Sequence, residues 1–135
     1  MIKKIDYNGK LCAIVVSEGY SQDGINFFTE NGETLQLGYM KRPAGYKIRG
    51  HIHKPVVRTV EYTNEVLFIK RGKVRVRFID EIGQVFSTII LCKGDTILLL
   101  NYGHSFEMIE ESEILEVKQG PYASENDKGF VDEII

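Results

Sequence analysis

The sequence predicts an all-β domain, a sandwich or barrel of short antiparallel strands. Two observations carry this. Turn signals recur at short intervals, at Asn8-Gly9, Asp23-Gly24, Asn31-Gly32, Gly45, Arg71-Gly72, Ile82-Gly83, Lys93-Gly94 and Tyr102-Gly103. Between them lie brief runs rich in Val, Ile, Phe and Tyr, side chains that suit a pleated, half-buried surface.

Taken in order, the runs predict strands over residues 11–17, 34–41, 46–53, 65–70, 73–80, 85–91, 96–100, 104–109 and 113–118. The clearest is the fifth. Val74, Val76 and Phe78 alternate with Lys73, Arg75 and Arg77, so one face is buried and the basic face meets solvent. The run 97–100 is apolar on both faces and asks for cover on both sides, as does the β-prone segment 11–16. A second subunit would supply it, so a homodimer is expected. The tail over residues 122–128 is polar and irregular and reads as a surface segment.

With 135 residues, 43% apolar and 27% charged, the chain can bury one core, and a single domain is expected over residues 1–135. That domain divides into N-terminal strands or arm over 1–33, a barrel core over 34–118 and a C-terminal tail over 119–135. A net charge of -2 gives no field to draw the chain onto nucleic acid or acidic membranes, so neither is expected as a partner. No apolar stretch reads as a signal peptide or a membrane span, and a cytoplasmic location is expected. Cys12 and Cys92 stand in apolar, strand-like contexts without a basic neighbour to make a thiolate, so both read as non-catalytic free thiols.

The chemistry-bearing residues are few. Only three histidines occur, and two form His51-Ile52-His53 on an expected strand. Period-two geometry places both rings on one face with Cα atoms roughly 7 Å apart. Such a pair clamps one ion, since neutral imidazole is a common ligand of transition metals and a carboxylate completes many such sites. Glu65 and His104 are the candidates to complete it.

These residues resemble the first motif of the cupin superfamily, roughly G-x5-H-x-H-x3or4-E-x6-G. Gly45, His51, His53, Glu65 and Gly72 stand at its positions, and the first and last intervals match. The departure lies between the second His and the Glu, where eleven residues, 54–64, replace the usual three or four. They read as an enlarged loop at the barrel mouth. The second motif, G-x5-P-x-G-x2-H-x3-N, is matched more loosely over 94–104: the spacing is one residue short, Leu99 replaces Pro and Met108 replaces Asn. His104 alone carries over, and a bulge near Tyr102-Gly103 would reconcile the register. The resemblance covers about residues 34–118 and implies a single-domain cupin jelly-roll barrel, or double-stranded β-helix. It also implies one divalent transition metal per chain (Mn, Fe, Ni or Zn) held by His51, His53, Glu65 and His104.

The segments 65–69, 103–108 and 116–122 are similar to a group of small cupins found beside genes for surface-polysaccharide and sugar-nucleotide synthesis. That resemblance implies a metal-dependent isomerase or epimerase of a sugar or sugar nucleotide. The metal would polarise a carbonyl, with Glu61 or Tyr62 moving the proton because all three histidines are committed. The cupin resemblance equally admits an iron-dependent dioxygenase and a non-catalytic small-molecule-binding module. Lys47 and Arg49 share the parity of the two histidines and either lead an anionic sugar derivative to the metal or lie in solvent. Arg58, on the long loop, is a further candidate to grip a phosphate or carboxylate. Gln36, Tyr39 and Lys118 lie on strands that would line the cavity, while Phe106 and Met108 share the parity of His104 and would supply apolar wall.

The motif spacing predicts that purified protein carries about one transition-metal ion per chain. Elemental analysis should find that ion lost from the His51→Ala/His53→Ala double variant. Occupancy should also fall below about pH 6, where imidazole protonates. Full occupancy in the double variant contradicts the assignment.

Overall fold

The computed structural model describes residues 1–123 and 127–135; the part of the expected surface tail at 124–126 lies outside the described residues. The described chain is all-β, with ten strands in antiparallel ladders and no helix. Hence no helix among the described residues is long and apolar enough to cross a membrane. The strands are β1 (Ile2–Tyr7), β2 (Lys10–Val16), β3 (Gly24–Phe27), β4 (Gly38–Lys41), β5 (Glu65–Arg71), β6 (Lys73–Ile79), β7 (Val85–Cys92), β8 (Thr96–Leu99), β9 (Gly103–Met108) and β10 (Glu113–Lys118).

By internal contacts the chain forms two compact units, one of residues 1–20 with 63–135 and one of residues 21–62. The first holds a five-stranded sheet in the order β1-β2-β8-β5-β10 and a three-stranded sheet in the order β7-β6-β9, the arrangement of a β-sandwich. Its core draws on both sheets: Val15, Leu67, Ile69, Ile97 and Leu99 from the larger, Val74, Val76, Phe78, Ile89 and Leu91 from the smaller. The predicted alternation on β6 is what makes this possible, because Val74, Val76 and Phe78 enter the core while Arg75 and Arg77 pair with Glu107 on the neighbouring β9.

Turns set the registers. Asn8 and Gly9, both with positive φ (49° and 76°), close the β1–β2 hairpin in the left-handed conformation that Asn-Gly favours. Gly72 closes the β5–β6 connection at φ 98°, where an added Cβ would run into Ser112 Oγ and the Glu111 carbonyl. Only glycine meets both demands.

Ile97, Leu98, Leu99 and Leu100 are all buried. Leu98 pairs with Ile14 on the sheet face opposite the core cluster, yet both are fully out of solvent in one chain. The apolar run therefore does not itself require a second subunit. Cys12 is buried, and burial pushes its thiol above the usual range, in keeping with an inert residue; Cys92 is exposed.

The second unit carries the β3–β4 hairpin, with Gly38 close against the Phe27 ring. The strand expected over 34–41 begins only at Gly38, because the segment before it folds back on itself. Gln36 Nε2 donates to the carbonyls of Glu30 (3.0 Å) and Glu33 (2.8 Å), and Thr29 Oγ1 donates to Gln36 Oε1 (2.6 Å). Side-chain bonds of this kind compete with a ladder. The strand expected over 46–53 is absent: residues 42–64 lie in no ladder, and every residue of 41–62 is exposed. Alternation permits a strand, but only a hydrogen-bonded neighbour makes one.

Two substitutions test this account by chemical denaturation. Phe78→Ala, removing a ring that is 1% exposed, should cost about 3–5 kcal/mol. Gly72→Ala should cost more than about 1 kcal/mol through its left-handed backbone alone.

Candidate functional site

The first unit contains a pocket of about 580 Å³ beside its core. Glu65 and Leu67 of β5, His104 and Phe106 of β9, Ile114 and Glu116 of β10, and Tyr102 contribute to its wall. The ladders explain the convergence. Glu65 and Leu67 share a parity and point inward beside Leu99 and Ile97, their partners on β8, and on β9 His104 and Phe106 face inward beside Phe78 and Val76. Two sheets packed face to face thus bring a carboxylate and an imidazole, 39 positions apart in sequence, to one wall.

His104 Nε2 lies 3.2 Å from Glu65 Oε2, with the side chains 27% and 11% exposed. The hydrogen bond His104 donates holds the Glu65 carboxyl below the ordinary range, outweighing burial, which pushes it up; the nearby Lys118 charge lowers it further. Glu65 is therefore a carboxylate at neutral pH. It orients the His104 ring through Nε2.

Residues the sequence did not single out complete the site. Glu116 reaches it because Ile114, Glu116 and Lys118 share the inward parity of β10, opposite to Leu115 and Val117, which are exposed. The β10 alternation would have found Glu116 once its pairing with β5 was known. Thr63 and residues 127–130 also line the pocket. Asp127 accepts a hydrogen bond from Thr63 Oγ1 and lies 3.9 Å from Lys118 Nζ, so this part of the tail is a wall of the site. No local pattern announces that, because it depends on a pairing 64 positions distant. Tyr102, in the turn before β9, has φ 70°, and its ring meets Tyr7 edge-on with centroids 5.3 Å apart; the β6–β9 ladder runs from Gly103 to Met108 without a register shift, so the bulge expected near Tyr102-Gly103 does not interrupt it. Phe106 is wall, as expected, whereas Met108 is exposed.

The remaining expected residues, Lys118 excepted, belong to the second unit. His51 and His53 stand together, ring centroids 5.3 Å apart, and His51 Nδ1 is 2.9 Å from the Arg49 carbonyl. Both are exposed, as are Lys47, Arg49, Arg58, Glu61 and Tyr62 on the same coil. Arg58 borders a separate pocket of about 430 Å³ with Gln36, Glu33 and Thr59 among its neighbours. Tyr39 lies on β4 and Lys118 on β10.

Imidazole and carboxylate donors suit a divalent transition ion. The first unit assembles two of the four expected donors, Glu65 and His104, and the second holds the other two. Among the described residues no group of three or more His, Cys, Asp or Glu side chains forms a metal-holding cluster. The first unit by itself therefore supplies half of the expected donor set. Comparison with protein-family models, curated proteins and solved structures finds no match to the chain.

The lowered Glu65 pKa fixes a pH dependence. A depressed carboxyl stabilises the fold above its unfolded value, near pH 4.3, and that stability is lost as pH falls through the folded value. Glu65→Gln should lower stability by about 1–3 kcal/mol at pH 7. The gap from the parent should close as pH falls below about 4; a constant gap in thermal melts at each pH contradicts the assignment.

Proposed function

We propose that the chain is a cupin-like jelly roll that binds a small polyhydroxylated ligand in the pocket of its first unit and moves a proton on it with His104. The observation that carries this reading is the Glu65–His104 pair at the wall of the 580 Å³ pocket. That volume falls within the ordinary range of small-molecule sites. An imidazole held by a carboxylate can serve as general base and general acid, the step an isomerase or epimerase needs beside a carbonyl.

The lining narrows the ligand. Glu65, Glu116 and Asp127 offer acceptors for hydroxyl donors, and Tyr102, Phe106 and Phe130 offer apolar ring faces. Among the described lining residues Lys128 is the one lysine or arginine. This balance suits an uncharged sugar ring better than a phosphate. The proton-transfer role expected of Glu61 and Tyr62 is assigned instead to His104, which lines the pocket.

The metal expectation from the motif has Glu65 and His104 as its support in this unit. The reading above does not route any step through an ion. A binding module without catalysis shares the same pocket and differs only in lacking turnover.

Incubation with an uncharged, unphosphorylated keto sugar in D2O, followed by NMR, tests the proposal. Deuterium should enter the carbon next to the carbonyl, and His104→Ala should slow its entry by about 10²–10⁴-fold. Glu116→Gln should weaken binding without slowing the bound ligand to that degree. Tight binding without deuterium entry supports the non-catalytic module and overturns the catalytic reading.

A further inference from the structure

Residues 127–134 belong to none of the ten strands, yet the first unit fastens them at both ends. At one end the Asp127 carboxylate accepts from Thr63 Oγ1 and lies 3.9 Å from Lys118 Nζ, with the side chain 14% exposed. At the other, the Ile134 N–H donates to the Gly83 carbonyl (2.6 Å), and the Ile134 carbonyl accepts from the Val85 N–H (3.0 Å). The segment also lies close on the β6–β7 turn, where a Cβ added at Gly83 would run into the Asp132 carbonyl. Residues 128–133, between these anchors, lie in no ladder.

Lys128, Gly129 and Phe130 of this span line the pocket that holds Glu65 and His104. Phe130 stands apart from the other aromatic residues of the lining. Tyr102 and Phe106 are partly buried against the core, whereas Phe130 borders the pocket and is 97% exposed. A large apolar ring left in water at a pocket mouth gains from whatever covers it. The backbone beside it has room to turn, since a Cβ added at Gly129 would meet nothing within 4 Å.

We propose that residues 127–134 are a strap that closes over a ring-shaped ligand, and that Phe130 is the residue that selects for a ring. This rests on the reading that a sugar occupies the pocket. The faces of a pyranose are rich in C–H groups, and a phenyl ring laid on one removes both from water. Glu65, Glu116 and Asp127 then accept from the hydroxyls at the edge of the sugar. Because both ends of the strap stay fastened, Phe130 reaches the ligand by local rotation, and little ordering entropy opposes the closure. An open-chain polyol offers the same hydroxyls without a ring face, so it gains little from Phe130.

The chain has no tryptophan, so Phe130→Trp places a single indole on the strap. D-fructose, an uncharged keto sugar, and D-mannitol, the corresponding open-chain polyol, are titrated into the parent and the variants by calorimetry and fluorescence. D-fructose should move the indole emission to shorter wavelength and shield it from acrylamide, and D-mannitol should do neither. Phe130→Ala should weaken D-fructose by about tenfold or more and D-mannitol by less than about twofold. Ile134→Pro removes the N–H that fastens the far end without touching the pocket, and should weaken D-fructose about threefold or more. D-fructose that binds the parent but leaves the indole emission unchanged overturns the strap and leaves the sugar reading standing. So does equal affinity in Phe130→Ala or in Ile134→Pro. No binding of D-fructose to the parent overturns the sugar reading, and the strap with it.

Discussion

The structure of the first unit depends on the apolar contact between the inner faces of its two sheets. Val74, Val76, Phe78 and Leu91 on one side and Val15, Leu67, Ile69 and Ile97 on the other are buried in a single cluster. Burying these side chains is the dominant favourable term available to an all-β unit of this size. The contact also dictates chemistry. Since period-two geometry ties every residue on a strand to the parity of its neighbours, Glu65 turns inward with Leu67 and Ile69, and His104 turns inward beside Phe78. One slip of register on either strand would send its ionisable group to the opposite face.

A polar pair at the margin of an apolar core carries a cost that its own hydrogen bond offsets. Glu65 is nearly buried and would be strongly penalised as an isolated charge. His104 supplies the donor and Lys118 a nearby positive charge, so the carboxylate stays ionised. The same arrangement leaves the imidazole oriented and half-accessible beside a cavity. A residue stabilised by its partner and exposed to a ligand on one side is what a binding or proton-transferring site requires.

Much of this was legible in the sequence, and the limits are physical. The strands of the first unit follow from alternation between turn signals, and the clean pattern of β6 was matched residue by residue. The Asn8-Gly9 turn was visible, but the strand before it, with Lys3 and Lys4 among its few residues, was too mixed to read as one. Glu65 and His104 were singled out by motif spacing, and the fold places them in contact. Asp127 and Glu116 were not legible because their place at the site arises from pairings across the whole unit. The segment 46–53 shows the converse failure. Its alternation is genuine, yet a strand is a relation between two segments, and this one has no ladder in the described chain.

The account turns on Glu65 and His104 acting as one unit at the meeting of the two sheets. A double-mutant cycle in denaturant unfolding at pH 7, using Glu65→Gln, His104→Ala and the combined variant, measures that coupling directly. The account predicts a coupling of roughly 1 kcal/mol or more, with the second substitution costing far less once the first has been made. Strictly additive losses would show that the two side chains do not meet, and would contradict it.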